Sequence, residues 1–233
     1  LYIDSNGDGV LGEGDVRITD EATLLTIKPL IEGFEYNFKE GINFVSFPFI
    51  FEEPEVLTGS SLLNYLNEKY NNSFYSISKF QAGKWLVVGD NSGDYNQNDF
   101  QIIPGEGYVL KSRLDQSIIL YGKEIQYESS NDRISVGLYP GWNLIGMYGN
   151  RVKTYTARTL LEGITNYDKI DFTATNVSRW EESKSLYEGI QGEKNDQNMM
   201  EFYGLDFPIS KQRAYFVKIT EGSGNWEPEL KEN

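Results

Sequence analysis

Short runs in which apolar and polar positions alternate dominate this chain, among them FYSISKF (74–80), KWLVV (84–88), NVSRW (176–180) and SLYEGI (185–190). A period of two marks half-buried β-strands, and the clusters of Gly, Asn and Asp between the runs read as hairpin turns. Two segments follow the helical period instead. Leu62, Leu63 and Leu66 stand behind the N-cap candidates Ser60 and Ser61, and Ala157, Leu160, Leu161 and Ile164 stand behind Thr156. The densest apolar run, 42–51, is broken by Asn43, Ser46 and Pro48. It falls well short of the ~20 residues that a helical span needs, so no membrane insertion of this chain is expected.

The pattern occurs twice. KEGINFVSFP (39–48) aligns with YPGWNLIGMY (139–148), pairing Gly41 with Gly141 and Asn43 with Asn143. DFQIIPGEGYVL (99–110) aligns with DFPISKQRAYFV (206–217), pairing Phe100 with Phe207 and Tyr108 with Tyr215. Both blocks come in the same order, with one helix between them. The expected fold is therefore mainly β: two tandem homologous modules, β-sandwich or barrel-like, each of five or six strands and one short helix, at 37–128 and 129–233. Residues 1–36 form a calcium loop and linker ahead of them. Pro104-Gly105 suits a type II turn, whereas Lys211-Gln212 in the second copy suits it poorly and predicts a different turn between unchanged strands.

The front of the chain carries candidate metal chemistry. DSNGDGVLGEGD (4–15) places oxygen donors at the spacing of an EF-hand loop: Asp4, Asn6, Asp8, the Val10 carbonyl and Asp15, with Gly9 at the sharp turn. Three carboxylates among hard oxygen donors suit Ca²⁺. The competing reading is an Asn-Gly and Asp-Gly turn cluster that binds nothing. The segment 90–99 has Asp90, Ser92 and Asp94 at similar offsets but Tyr95 where Gly is needed, and reads as a polar hairpin loop. Residues 16–31 fit both a helix, through Ile18, Ala22 and Leu25, and a strand ending at Pro29.

These motifs carry a resemblance. GWN followed by apolar residues, a short helix, NDF or LDF, and then PGxGY before an apolar strand resembles a module repeated in large surface-exposed proteins of bacteria and archaea. It covers 37–125 and 133–230. Asp15 at loop position 12, in place of the bidentate Glu of sensor EF-hands, resembles dockerins and other extracellular bacterial calcium loops. The resemblance implies an extracellular or cell-surface location and a non-catalytic structural or binding region of a surface-layer, adhesin or appendage protein, rigidified by calcium. Its partners would be a cell-surface or extracellular protein, another copy of itself, or carbohydrate. The alternative is an accessory carbohydrate-binding region of a secreted polysaccharide-degrading enzyme.

Composition narrows the chemistry further. The 233 residues carry 21 Lys and Arg against 35 Asp and Glu, a net charge of −14 that opposes binding to nucleic acid. There is no Cys and no His. That removes disulfides, the usual zinc sites and every Ser-His or Cys-His nucleophilic pair. Glu52-Glu53 and Glu181-Glu182 are adjacent, so on a strand they point to opposite faces and do not flank one glycosidic bond. No enzyme is expected. Trp85, Trp142, Trp180 and Trp226 are candidates for a sugar-stacking platform; Trp142 is assigned to the core and Trp226 is the expected exposed one. NNS (71–73) and NVS (176–178) fit the glycosylation sequon. The chain begins at Leu1, which suggests a piece of a longer exported protein.

Overall fold

The computed structural model describes residues 2–3, 16–17, 31–53, 56–89, 99–125, 135–195, 197 and 199–231. It divides into two units, Leu1–Leu30 and Ile31–Asn233. In the first, β1 (Tyr2–Ile3) pairs antiparallel with β2 (Val16–Arg17), Ile3 opposite Val16. The flanks of the 4–15 loop are thus strands, where an EF-hand has helices. Asp4, Asn6, Asp8, Val10 and Asp15 lie outside the described residues, as do 90–98 and 18–30.

The second unit is mainly β. Its N-terminal half runs β3 (Glu32–Phe38), β4 (Gly41–Val45), β5 (Phe49–Phe51), α1 (Gly59–Lys69), β6 (Phe74–Gln81), β7 (Lys84–Gly89), β8 (Tyr108–Ser112) and β9 (Gln116–Glu124). Its C-terminal half runs β10 (Val136–Leu138), β11 (Gly141–Ile145), α2 (Ala157–Thr165), β12 (Thr173–Glu181), β13 (Leu186–Lys194), β14 (Met200–Gly204), β15 (Tyr215–Glu221) and β16 (Gly224–Trp226). The main sheets are ordered β4-β8-β6-β7 and β11-β15-β12-β13-β14, and each is accompanied by a small sheet, β3-β9-β5 or β10-β16. All pairings are antiparallel, and none of these sheets closes into a barrel. Each half has seven strands among the described residues, not five or six. The additional ones include the three-residue β5 and the edge strand β14, too short or too irregular in pattern to stand out by alternation.

Each half has its own core. Leu62, Leu63 and Leu66 of α1 pack with Phe47, Phe74, Ile77, Tyr108 and Leu110, all essentially excluded from solvent. Leu160, Leu161 and Ile164 of α2 pack in the same way with Phe172, Val177, Tyr215, Val217 and Trp226. Burying such side chains is worth about 1.5–3 kcal/mol each, the dominant favourable contribution to folding.

The motifs found in the sequence do the same work in both halves. Gly41 and Gly141 adopt φ of +91° and +100°, which turns the chain from β3 into β4 and from β10 into β11. Asn43 then ties that corner: its Oδ1 accepts from Lys39 N (2.8 Å) and its Nδ2 donates to the carbonyls of Lys39 and Gly41. Asn143 makes the same three bonds to Tyr139 and Gly141. Asp99 and Asp206 cap the helices from a distance, accepting from Ser60 N (3.0 Å) and Arg158 N (2.9 Å). The N-caps proper are Thr58 and Thr156, each in a capping box with Ser61 or Thr159, so α1 begins ahead of the Ser60 and Ser61 expected as caps. Tyr108 and Tyr215 stack on Phe100 and Phe207, and each hydroxyl accepts from a backbone N–H five residues upstream, Ile103 or Ser210, at 2.7 Å.

Candidate functional site

The two halves meet by exchanging backbone bonds. The end of β4 receives the turn that precedes β15: Ser46 N donates to Gln212 O (3.1 Å) and Ala214 N to Phe44 O (3.3 Å). The end of β11 receives the turn that precedes β8: Gly146 N donates to Gly105 O (2.9 Å) and Gly107 N to Leu144 O (3.1 Å). Ser46 thus stands to Gly146 as Gln212 stands to Gly105, and the contact is reciprocal, the arrangement of an isologous interface. Both turns close with a bond from the fourth residue to the first, Glu106 N to Ile103 O and Arg213 N to Ser210 O. Gly105 takes the positive φ of +90° that a type II turn needs; Gln212 does not.

Strand alternation decides what this junction presents. In β15, Tyr215, Val217 and Ile219 enter the core, so Phe216 and Lys218 point to the other face. In β11, Trp142 and Leu144 share that outer face, and in β4 Phe44 does. Phe44, Leu144 and Ala214 form a third, small core between the halves. Beside it, rings stand edge-on around Phe216: Trp85 at 88°, Trp142 at 81° and Phe80 at 79°, with centroids 6.3, 6.0 and 5.9 Å away. Tyr187 leans in at 62°.

The result is a cleft of about 460 Å³ with Phe216 as its floor, lined by Phe80, Trp85, Trp142, Ser178, Tyr187 and Phe216. Both halves contribute to it. Trp85, Trp142 and Tyr187 keep 45%, 43% and 54% of their surface in solvent, as residues holding a site open rather than filling it. Its size and apolar lining fall in the range of small-molecule sites. Desolvation raises the pKa of the Tyr187 hydroxyl above its ordinary value.

Two tryptophan assignments made from sequence are reversed. Trp142 is not core, because Asn143 takes the inward corner role and strand parity turns its neighbour outward. Trp226 is 1% exposed, stacks edge-on with Tyr155 and donates Nε1–H to Gly163 O at 3.1 Å. Its position on β16, paired with β10, seals the second core.

Three of the four paired carboxylates have structural partners. Glu53 accepts from Tyr65 OH (3.0 Å), Glu182 pairs with Arg213, and Glu181 accepts from Ser183 Oγ (2.8 Å). Glu52 and Glu53 lie in the bend after β5, not within a strand. Near the cleft, Lys79 and Glu106 form an ion pair at 2.6 Å, with Tyr108 OH donating to the same carboxylate. The described residues hold no group of three or more His, Cys, Asp and Glu able to bind a metal, and no helix long and apolar enough to cross a membrane. Comparison with protein-family models, characterised proteins and solved structures finds no match.

Proposed function

We propose that this chain is a non-catalytic structural and binding region of an extracellular, cell-surface protein of the surface-layer, adhesin or appendage kind. Two copies of one β-module, 37–128 and 129–233, form its body, and the cleft between them is its binding point. The single observation that carries the reading is the cleft itself: half-exposed aromatic rings from both halves, held open around Phe216 by the reciprocal strand exchange. The matched Asn43 and Asn143 corners, helix caps and Tyr108 and Tyr215 bonds support descent from one module. Ca²⁺ held by Asp4, Asn6, Asp8, Val10 and Asp15 stiffens the front segment; the antiparallel pairing of Ile3 with Val16 supports this, since it brings the two ends of the donor loop together.

The exposure of Trp85, Trp142 and Tyr187 also favours a second reading, an accessory carbohydrate-binding region of a secreted polysaccharide-degrading enzyme. The cleft serves both. The test is sedimentation with purified bacterial or archaeal cell envelopes: the chain should be retained, and the Trp85→Ala/Trp142→Ala double variant, with unchanged circular dichroism, should be lost from the pellet. Equal retention of the two would refute the cleft as the binding point.

A further inference from the structure

A row of side chains leads away from the cleft across the main sheet of the C-terminal half. The registers set Trp142 opposite Lys218, Lys218 opposite Asn176, Asn176 opposite Gln191, and Gln191 opposite Tyr203. Residues directly opposite in antiparallel strands share a face, so all five point the same way. Five strands at about 4.8 Å make the row about 19 Å long. Its ends are aromatic and open, Trp142 at 43% and Tyr203 at 56% exposure. Between them lie an ammonium group and two carboxamides. A bulge at Thr175 puts Asn176 into the row: Ala174 faces Ile219, the next pair is Asn176 with Lys218, and the extra residue restores the parity that the core demands. Gly189 leaves room beside Ser178, since a Cβ there would stand 2.6 Å from Ser178 Oγ.

We propose that the cleft and this row together bind a neutral glycan chain, about four sugar units long if each spans one strand spacing. The inference rests on the cleft being a binding site and adds the chemistry of its ligand. A pyranose offers an apolar C–H face and a rim of hydroxyls. The row offers aromatic rings for the first; for the second it offers Ser178, Lys218 and the carboxamide positions left open after Asn176 Oδ1 accepts from Thr175 Oγ1 (3.0 Å) and Gln191 Nε2 donates to Glu193. An apolar peptide would use the cleft and leave the carboxamides without purpose. Charge sorts the remaining candidates. At the Tyr203 end, Glu193 bonds Gln191 and Glu201 accepts from Tyr203 OH (2.7 Å), and with a net charge of −14 these carboxylates repel polyanionic glycans. Lys218, 5.9 Å from the Trp142 ring, already supplies the cation that an aromatic cage would otherwise take from a ligand.

The experiment is titration calorimetry of the full chain with cellohexaose, mannohexaose and N-acetyl-chitohexaose, with hexagalacturonate as the anionic control. At least one neutral hexasaccharide should bind, and the anionic one should bind at least tenfold more weakly. Trp142→Ala should lower the affinity at least tenfold. Asn176→Ala, Gln191→Ala and Tyr203→Ala should each lower it about threefold or more, while the affinity for the disaccharide of the same sugar stays unchanged with Tyr203→Ala. Absence of binding by all three neutral hexasaccharides would overturn the proposal. So would binding that Trp85→Ala abolishes and the row variants leave intact, an outcome that would keep the cleft and remove the row. Loss of envelope retention in the cleft double variant without any hexasaccharide binding would separate the two in the same direction.

Discussion

Ser46 and Gly146 occupy matching places in the two halves and pack against each other where the halves cross. A Cβ on Gly146 would stand 1.7 Å from Ser46 Oγ and 3.1 Å from the Glu106 carbonyl, so the crossing has room for one side chain only. Ser46 supplies it, fully buried, and donates to that same carbonyl at 3.0 Å. Gly146→Ala should therefore cost about 1–3 kcal/mol by overpacking, measured as a lower urea midpoint. Ser46→Gly added to it should recover most of the loss, less the roughly 1 kcal/mol of the Ser46 bond. Additive losses in the double variant would show that the two residues do not share one space. Gly107 and Ala214 repeat the situation, with a Cβ on Gly107 falling 2.7 Å from that of Ala214. These fits were not legible in the sequence. GINFVSFP and GWNLIGMY align, but nothing in either string says that residue 46 meets residue 146.

At the scale of elements, the helices and the strands that pattern by alternation were legible because local chemistry alone decides them. Leu160, Leu161 and Ile164 face the core as their spacing requires, and FYSISKF and KWLVV are the hairpin β6–β7. Its sequence neighbours place Asp99 at the end of a polar loop. It instead holds the N-terminus of α1, through contacts made thirty-nine residues away along the chain that no local pattern encodes. Desolvation opposes its ionisation, but bonds from Ser60, Thr58 and Phe100 outweigh that and hold its pKa below the usual carboxylate value. The sign follows: a depressed pKa contributes stability above the unfolded value of about 3.9, lost as pH falls through the folded value. Stability should thus begin to fall below about pH 5 and still be falling at about pH 3. Asp99→Asn should lower it at neutral pH by about 0.3–1 kcal/mol through loss of charge at the helix start, and should flatten the acid slope. An unchanged slope in urea titrations at both pH values would contradict this role. The tryptophans show the opposite failure of local reading: the sequence assigns Trp142 to the core and leaves Trp226 exposed, and only the registers of β11 and β16 exchange the two.

At the scale of the molecule, four reciprocal backbone bonds and the small core of Phe44, Leu144 and Ala214 join the halves. At about 0.5–1.5 kcal/mol net per bond, the exchange alone contributes about 2–6 kcal/mol, comparable with the stability of a small domain. The pairs Lys211–Glu124 (2.7 Å) and Gln212 Nε2 to Glu35 O (2.7 Å) add further ties. The front unit is a separate matter, and calorimetric titration with Ca²⁺ tests it: one ion per chain should bind, with the heat abolished by Asp8→Ala, while no heat in the unaltered chain would refute the calcium assignment. The body should unfold as one. Differential scanning calorimetry in calcium tests the joined-halves account most directly. It predicts a single transition for residues 31–233, with equal calorimetric and van't Hoff enthalpies, that moves down intact in Gly146→Ala. Two separate transitions, only one of them shifted by that substitution, would contradict it.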